Sequence, residues 1–345
     1  MKRKLITVMG LVMMIALLFG AVGCGSPDEI PDESEPGILP APASESTTTG
    51  PAEKSEPLTI GLVVKALNDT FQSDVVVGAQ EAIAAIEAET GRKIELLPYE
   101  SNRDLTLEIS TLEDLTSMRV DGIMHIGLDY DGSVPAVTAI LEAGIPYVML
   151  DAPLANSDDV PAVVTSDNYE AGYESAKALA EAIGGKGKVL CFNNSTGFNI
   201  NLRWKAAQDA FAEYPDLEVV FTENSSGLTV DLVLEKTNNF LQVYPDLSGI
   251  WGPFASCGRG AVSAVEAAGK LDQIKVASID GTVEELELIK AGKLVATAAQ
   301  FPKEIGAIGV ETILKIIDGE ELTETWVSVP VQLIDSSNVN EYLKD

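Results

Sequence analysis

Carboxylates, an amide, a guanidinium and an aromatic ring recur where apolar runs of this chain stop. Asp151 closes Pro146–Leu150, Asp280 closes Ile274–Ile279, and Gln300 closes Leu294–Ala298. Asp69, Phe71 and Gln72 fall in Leu67–Gln72, directly after the run Leu58–Val64, and Arg203 lies in the first turns of the helix expected after Cys191. Taken singly, each residue has the alternative of capping a helix or facing water. Taken together, they bring hydroxyl acceptors, an Arg fork and a ring face to one set of strand ends. That chemistry suits a neutral polyhydroxylated ligand, with carboxylates and amides pairing to hydroxyls and the ring packing on C–H surface.

Other chemistries lack their parts. The one histidine, His125, cannot build a His-rich zinc site, and at the end of an apolar strand it reads as a hydrogen-bonded structural residue. Gly184-Gly185-Lys186-Gly187-Lys188 lacks the phosphate-loop spacing and precedes a strand, so it reads as a helix end and turn. Neither a G-x-G-x-x-G after the first strand nor a G-x-S-x-G elbow is present. No enzyme activity, cofactor or metal is expected. Cys191 and Cys257 follow strands expected to be neighbours, where a disulfide and two free thiols are both open readings. With 53 Asp plus Glu against 23 Lys plus Arg, the net charge of −30 repels phosphate backbones and excludes nucleic acid as a partner.

Elements that position the strand-end residues begin at Leu58. Before them, Met1-Lys2-Arg3-Lys4 and the apolar run Leu5–Phe19 have the order of a secretory signal, too short to span a bilayer. Ala21-Val22-Gly23-Cys24 resembles a bacterial lipobox, with Ala21 in place of the usual Leu, which makes residues 1–24 a signal and Cys24 the lipidated anchor to a membrane outside the cytoplasm. Residues 25–57 are rich in Pro, Ser, Thr and acids, with too few bulky apolar groups to offset the entropy of ordering, and read as a disordered acidic tether. From Leu58 onward short continuous apolar strands alternate with helices up to a last helix, Ile305–Ile317, and one terminal strand near Val327–Leu333. Apolar runs without alternation imply parallel sheets covered on both faces. About ten such units exceed one ordinary sheet, so the expected fold is α/β with two doubly wound lobes, and ligands of such sheets bind beyond the carboxyl ends of the strands.

From Leu58 to about Leu333 the chain resembles the ribose-binding-protein-like class of periplasmic sugar-binding proteins. The likeness is carried by Ile60-Gly61-Leu62-Val63-Val64 with Leu67-Asn68 and Phe71, and by Ala143-Gly144-Ile145-Pro146 running to Asp151. Ser166-Asp167-Asn168, Tyr244-Pro245-Asp246, Asp280-Gly281-Thr282, Ala299-Gln300 and Gly309-Val310-Glu311-Thr312 extend it. It implies a periplasmic binding protein type I fold with crossovers near Thr165–Ser166, Gln300–Phe301 and Ser328, hence lobes of 58–165 plus 301–327 and of 166–300 plus 328–345. Hinge closure around a monosaccharide, polyol or related small molecule and delivery to the permease subunits of an ABC importer are also implied, with a receptor-only sensor of the same fold as the alternative. A monomer is the default. By position, Asp69, Phe71, Asp151, Arg203, Asp280 and Gln300 match the sugar-binding pattern. Departures are Gln72 for a second aromatic, Ala152 for an Arg, Leu228 near an expected aromatic, and Phe254-Ala255 for Asn-Asp, which make Gln72 and Phe254 candidate contacts and ribose itself doubtful.

Overall fold

The computed structural model describes residues 57–193, 197–224 and 227–343; the predicted signal, Cys24 and nearly all of the tether lie outside them. Strands β1 (Leu58–Val64), β2 (Ile94–Glu100), β3 (Gly122–His125), β4 (Tyr147–Leu150) and β5 (Ala162–Ser166) alternate with helices α1 (Thr70–Thr90), α2 (Leu105–Met118) and α3 (Val134–Glu142). There follow α4 (Asn168–Ala182), β6 (Lys186–Asn193), α5 (Phe198–Ala212), β7 (Asp216–Asn224), α6 (Val230–Val243), β8 (Leu247–Trp251) and α7 (Ala255–Ala267). The chain ends with β9 (Lys275–Asp280), α8 (Val283–Lys290), β10 (Ala296–Ala299), α9 (Pro302–Ile317), β11 (Trp326–Val329), β12 (Gln332–Asp335) and the short α10 (Val339–Tyr342).

These strands form two six-stranded sheets, ordered β11-β5-β4-β3-β1-β2 and β12-β10-β9-β8-β6-β7. All the pairings are parallel except β10 with β12. The continuous apolar runs are explained by two covered faces. In β1, Ile60, Leu62 and Val64 enter one apolar layer while Val63 enters the opposite one. In β6, Leu190 and Phe192 face one side, Val189 and Cys191 the other. Period-2 side-chain geometry then requires apolar residues at every position.

The chain passes between sheets three times: after Ser166, between Ala299 and Pro302, and at Pro330–Val331. The single terminal strand expected over Val327–Leu333 is two strands, one in each sheet. Pro330 has no N–H to continue a ladder, and beyond it the chain runs antiparallel to β10. The boundary expected between 327 and 328 therefore falls inside β11, which pairs with β5 through Val329. Helix α9 returns to the first sheet and crosses α1 closely. A Cβ on Gly306 would lie 2.0 Å from the Val75 carbonyl oxygen, and one on Gly78 would lie 2.0 Å from that of Lys303.

Candidate functional site

Arg203 is the centre of the polar group the sequence singled out. It sits in the second turn of α5, 4% exposed, and its Nε donates to Asn168 Oδ1 at 2.8 Å. Nη1 donates to the Pro253 carbonyl at 2.8 Å and lies 3.6 Å from Asp280 Oδ1. Burial pulls the guanidinium below its usual range, and Asp280 and Asp151 oppose that fall. Three elements thus fix one side chain: the start of α4, the β8–α7 connection and the end of β9.

Asp280 leaves β9 with φ +124°, followed by Gly281 at +76°. A side chain at 281 would place its Cβ 2.3 Å from that of Ala299, so only glycine lets the turn lie against β10. The turn aims Asp280 so that Oδ2 accepts from the Ala255 N–H, the first of α7, at 2.9 Å, where a helix start favours negative charge. Oδ1 accepts from Gln300 Nε2 at 2.7 Å. Burial raises the Asp280 carboxyl above its ordinary range; Arg203 and these two hydrogen bonds oppose the rise. Gln300 is 7% exposed, and its Oε1 has no partner among the described residues.

Asp151 faces this group from the first lobe. At φ +55° it turns the chain after β4, and its carbonyl accepts from Thr165 Oγ1 at 2.7 Å and, across the lobes, from Asn199 Nδ2 at 2.8 Å. Its carboxyl makes no hydrogen bond with the described residues. Burial raises it, Lys65 and Arg203 draw it back down, and Asp69 adds to the rise. The structure therefore brings Asp151, Arg203, Asp280 and Gln300 into one electrostatic unit spanning both lobes.

The other predicted contacts have local duties. Asp69 caps α1 through the Phe71 N–H and pairs with Arg103 at 2.7 Å. Gln72 is 5% exposed, and its Oε1 accepts from the Lys65 N–H at 3.1 Å. Phe71 packs on the first-lobe core and Phe254 on that of the second. Phe254 stands between the Pro253 carbonyl that receives Arg203 and the Ala255 N–H that binds Asp280. His125 is buried, with Nδ1 2.9 Å from Tyr147 Oη and Nε2 3.3 Å from Glu108. Cys191 and Cys257 are both buried free thiols, which resolves the open reading in favour of no bond.

Residues the sequence reading did not single out are Lys65, Asn168, Asn193 and Asn199. Lys65 directly follows β1 and Asn193 ends β6, the same strand-end signal that picked Asp151, whereas Asn199 lies in the first turn of α5 with nothing to mark it. Asn193 is 4% exposed, and its Oδ1 has no partner among the described residues. A separate recess of about 320 Å³ lies beside the crossing strands, lined by Phe198, Leu202 and Trp326, and shares only Asn168 with the Arg203 group.

Residues 60–321 match the family described as periplasmic binding protein domain. The chain belongs to the periplasmic binding protein family. It is 30% identical to the ribose import binding protein of Haemophilus influenzae over 282 residues, covering 80% of this chain and 90% of that one. The D-allose-binding periplasmic protein of Escherichia coli is 25% identical over 289 residues, covering 81% and 91%. Among solved structures, a periplasmic solute-binding protein of an ABC transporter from Actinobacillus succinogenes, with bound D-allose, superposes with TM-score 0.74 at 30% identity over 83% of this chain and all of the other. A Bacillus halodurans solute-binding protein with bound myo-inositol gives TM-score 0.75 at 25% identity over 83% and 96%. These likenesses cover both lobes, and they agree with the type I two-lobe fold.

Proposed function

We propose that this periplasmic binding protein captures a sugar or cyclitol between its lobes and delivers it to an ABC importer. The observation that carries this is the buried Arg203–Asp280–Gln300 cluster facing Asp151, with the Gln300 oxygen and the Asp151 carboxyl still open to hydroxyl donors. A buried acceptor without a partner costs free energy that a ligand hydroxyl recovers, which favours the right ligand over one lacking that hydroxyl. Asp151 and Asp280 accept, Arg203 donates, and Phe71 and Phe254 offer ring faces; Asp69 and Gln72 act at the first-lobe rim. Ligand bridging the lobes favours the closed form, and no chemical step follows. Relatives named for import favour delivery to permease subunits over a receptor-only sensor role.

Extracytoplasmic placement accords with the periplasmic relatives. The lipid anchor on Cys24 is part of the same proposal, tested by whether Cys24→Ala releases the chain from bacterial membranes. A monomer suffices, because both lobes of one chain supply the contacts. The deciding experiment is a thermal-shift panel on the full chain with D-ribose, D-allose, xylitol, myo-inositol, nucleosides and amino acids. At a hundredfold excess over the dissociation constant, a ligand that binds only the native state adds about 2.7 kcal/mol. A shift with a sugar or polyol is expected. A shift with nucleosides or amino acids alone overturns the sugar reading.

A further inference from the structure

Behind Asp280 lies a second carboxyl group that no ligand could touch. Glu285, in the first turn of α8, is 0% exposed. Its Oε1 lies 2.5 Å from Ser278 Oγ and accepts from Thr297 Oγ1 at 3.2 Å, and its Oε2 accepts from the Thr282 N–H at 3.0 Å. Thr297 Oγ1 in turn accepts from the Gly281 N–H at 3.1 Å. Every residue of the turn that follows Asp280 is thus tied, directly or through Thr297, to one carboxyl group. Helix α7 closes the site from above: a Cβ on Gly258 would lie 2.1 Å from Ser278 Oγ.

Such a network is more than an α8 cap needs. Thr282 and Glu285 already form a reciprocal capping box, a task that a glutamine also performs. What the carboxyl adds is a proton that can come and go beside Asp280. The groups facing it are Ser278 and Asp280 from β9, Thr297 from β10, Cys257 from α7 and Thr282 from its own turn. No cation pairs with it among the described residues, and Arg203 is already engaged with Asp280.

We propose that Glu285 is a positioning residue for the ligand cleft, whose carboxyl group fixes the Asp280–Gly281–Thr282 turn and whose proton keeps Asp280 seated against Arg203. Burial and the neighbouring Asp280 raise its pKa to about 8, so at neutral pH the carboxyl holds a proton, shared with Ser278 Oγ across their 2.5 Å contact, and Asp280 carries the local charge. Loss of that proton sets two carboxylates in one buried place with a single cation. The turn relieves the repulsion by opening, and opening carries Asp280 away from Arg203.

This inference rests on Asp280 being a ligand contact, so its test has one arm with ligand and one without. Calorimetric titrations of the full chain use D-ribose, D-allose and myo-inositol between pH 6 and 9.5. The free protein, carrying ¹³C-labelled aspartate carboxyls, is followed by NMR over the same range. Wild-type affinity should fall about tenfold or more as the solution passes through pH 8. E285Q should stay within about threefold of wild type at pH 7 and be flat to pH 9, whereas E285A should lose about tenfold or more at every pH. Without ligand, the Asp280 carboxyl signal should show a second titration near 8 that E285Q abolishes. An alkaline fall that persists in E285Q, or equal affinities for E285Q and E285A, overturns the proposal. If none of the three probes binds wild type, the sugar reading is decided by the wider thermal-shift panel, and the Asp280 signal alone decides the role of Glu285.

Discussion

Arg203 shows how one residue gains several duties from its surroundings. Removing it leaves Asn168 Oδ1, the Pro253 carbonyl and Asp280 short of a partner at once. Arg203→Ala should therefore cost about 3–5 kcal/mol of stability, as breaking a buried pair does, and abolish ligand binding. Thermal melts and calorimetry on the same variant separate the two losses, and unchanged binding in a folded variant would remove Arg203 from the site. In the sequence, Arg203, Asp151, Asp280 and Gln300 were legible because charged or amide groups closing apolar runs are conspicuous. Less legible was what holds them. The Pro253 carbonyl and the Ala255 N–H are backbone groups that carry no residue signature, and Asn168 stood out only as part of the family-like Ser166-Asp167-Asn168. Asp69 and Gln72 show the converse limit: a polar side chain after a strand serves the backbone as readily as a ligand.

At the scale of elements, the helices that frame the cleft begin earlier than their apolar spacing suggests. Apolar periodicity points to α1 from Val75 and α7 from Gly260, yet α1 starts at Thr70 and α7 at Ala255. Phe71 apart, their first turns carry polar or small residues, Thr70, Gln72 and Ser73 in α1 and Ala255–Gly258 in α7, so apolar periodicity does not reach them. Gly258, inside α7, is required by the approach of that helix to Ser278. The β9–α8 turn makes the sharper prediction. Gly281→Ala meets both a positive φ and a contact 2.3 Å from Ala299 Cβ, so it should cost about 1–3 kcal/mol and displace Asp280. Chemical denaturation should report the first effect and weakened ligand affinity the second. A variant with wild-type affinity would show that the turn does not govern the site.

For the whole molecule, the first lobe keeps its β3–α3 connection in place through a buried carboxylate. Glu108, 0% exposed, accepts from the Leu128 N–H at 2.9 Å and from Ser133 Oγ, with His125 beside it. Burial would raise its pKa, but His125 and these hydrogen bonds hold it below the usual 4.5. A carboxyl depressed in the native state adds stability above its unfolded value, and that stability is lost as pH falls through the native one. Glu108→Gln should thus cost about 1–3 kcal/mol at pH 7, with the gap to wild type closing as the solution is acidified below 4.5. Melting curves from pH 3 to 8 test this, and a gap independent of pH would contradict it.

The threefold passage of the chain between sheets has a consequence for synthesis. Helix α9 and strand β11 complete the first sheet's layers, and both follow β6 to β10 of the second sheet in the chain. A nascent chain on the ribosome therefore lacks an edge strand and a covering helix of its first lobe until five strands of the second have been translated. The closing contacts join α1 to α9, elements more than two hundred residues apart, and such distant pairings form slowly. Neither lobe can finish before the other is nearly made, which leaves a long interval in which the polypeptide is still loose enough to be threaded through a membrane pore.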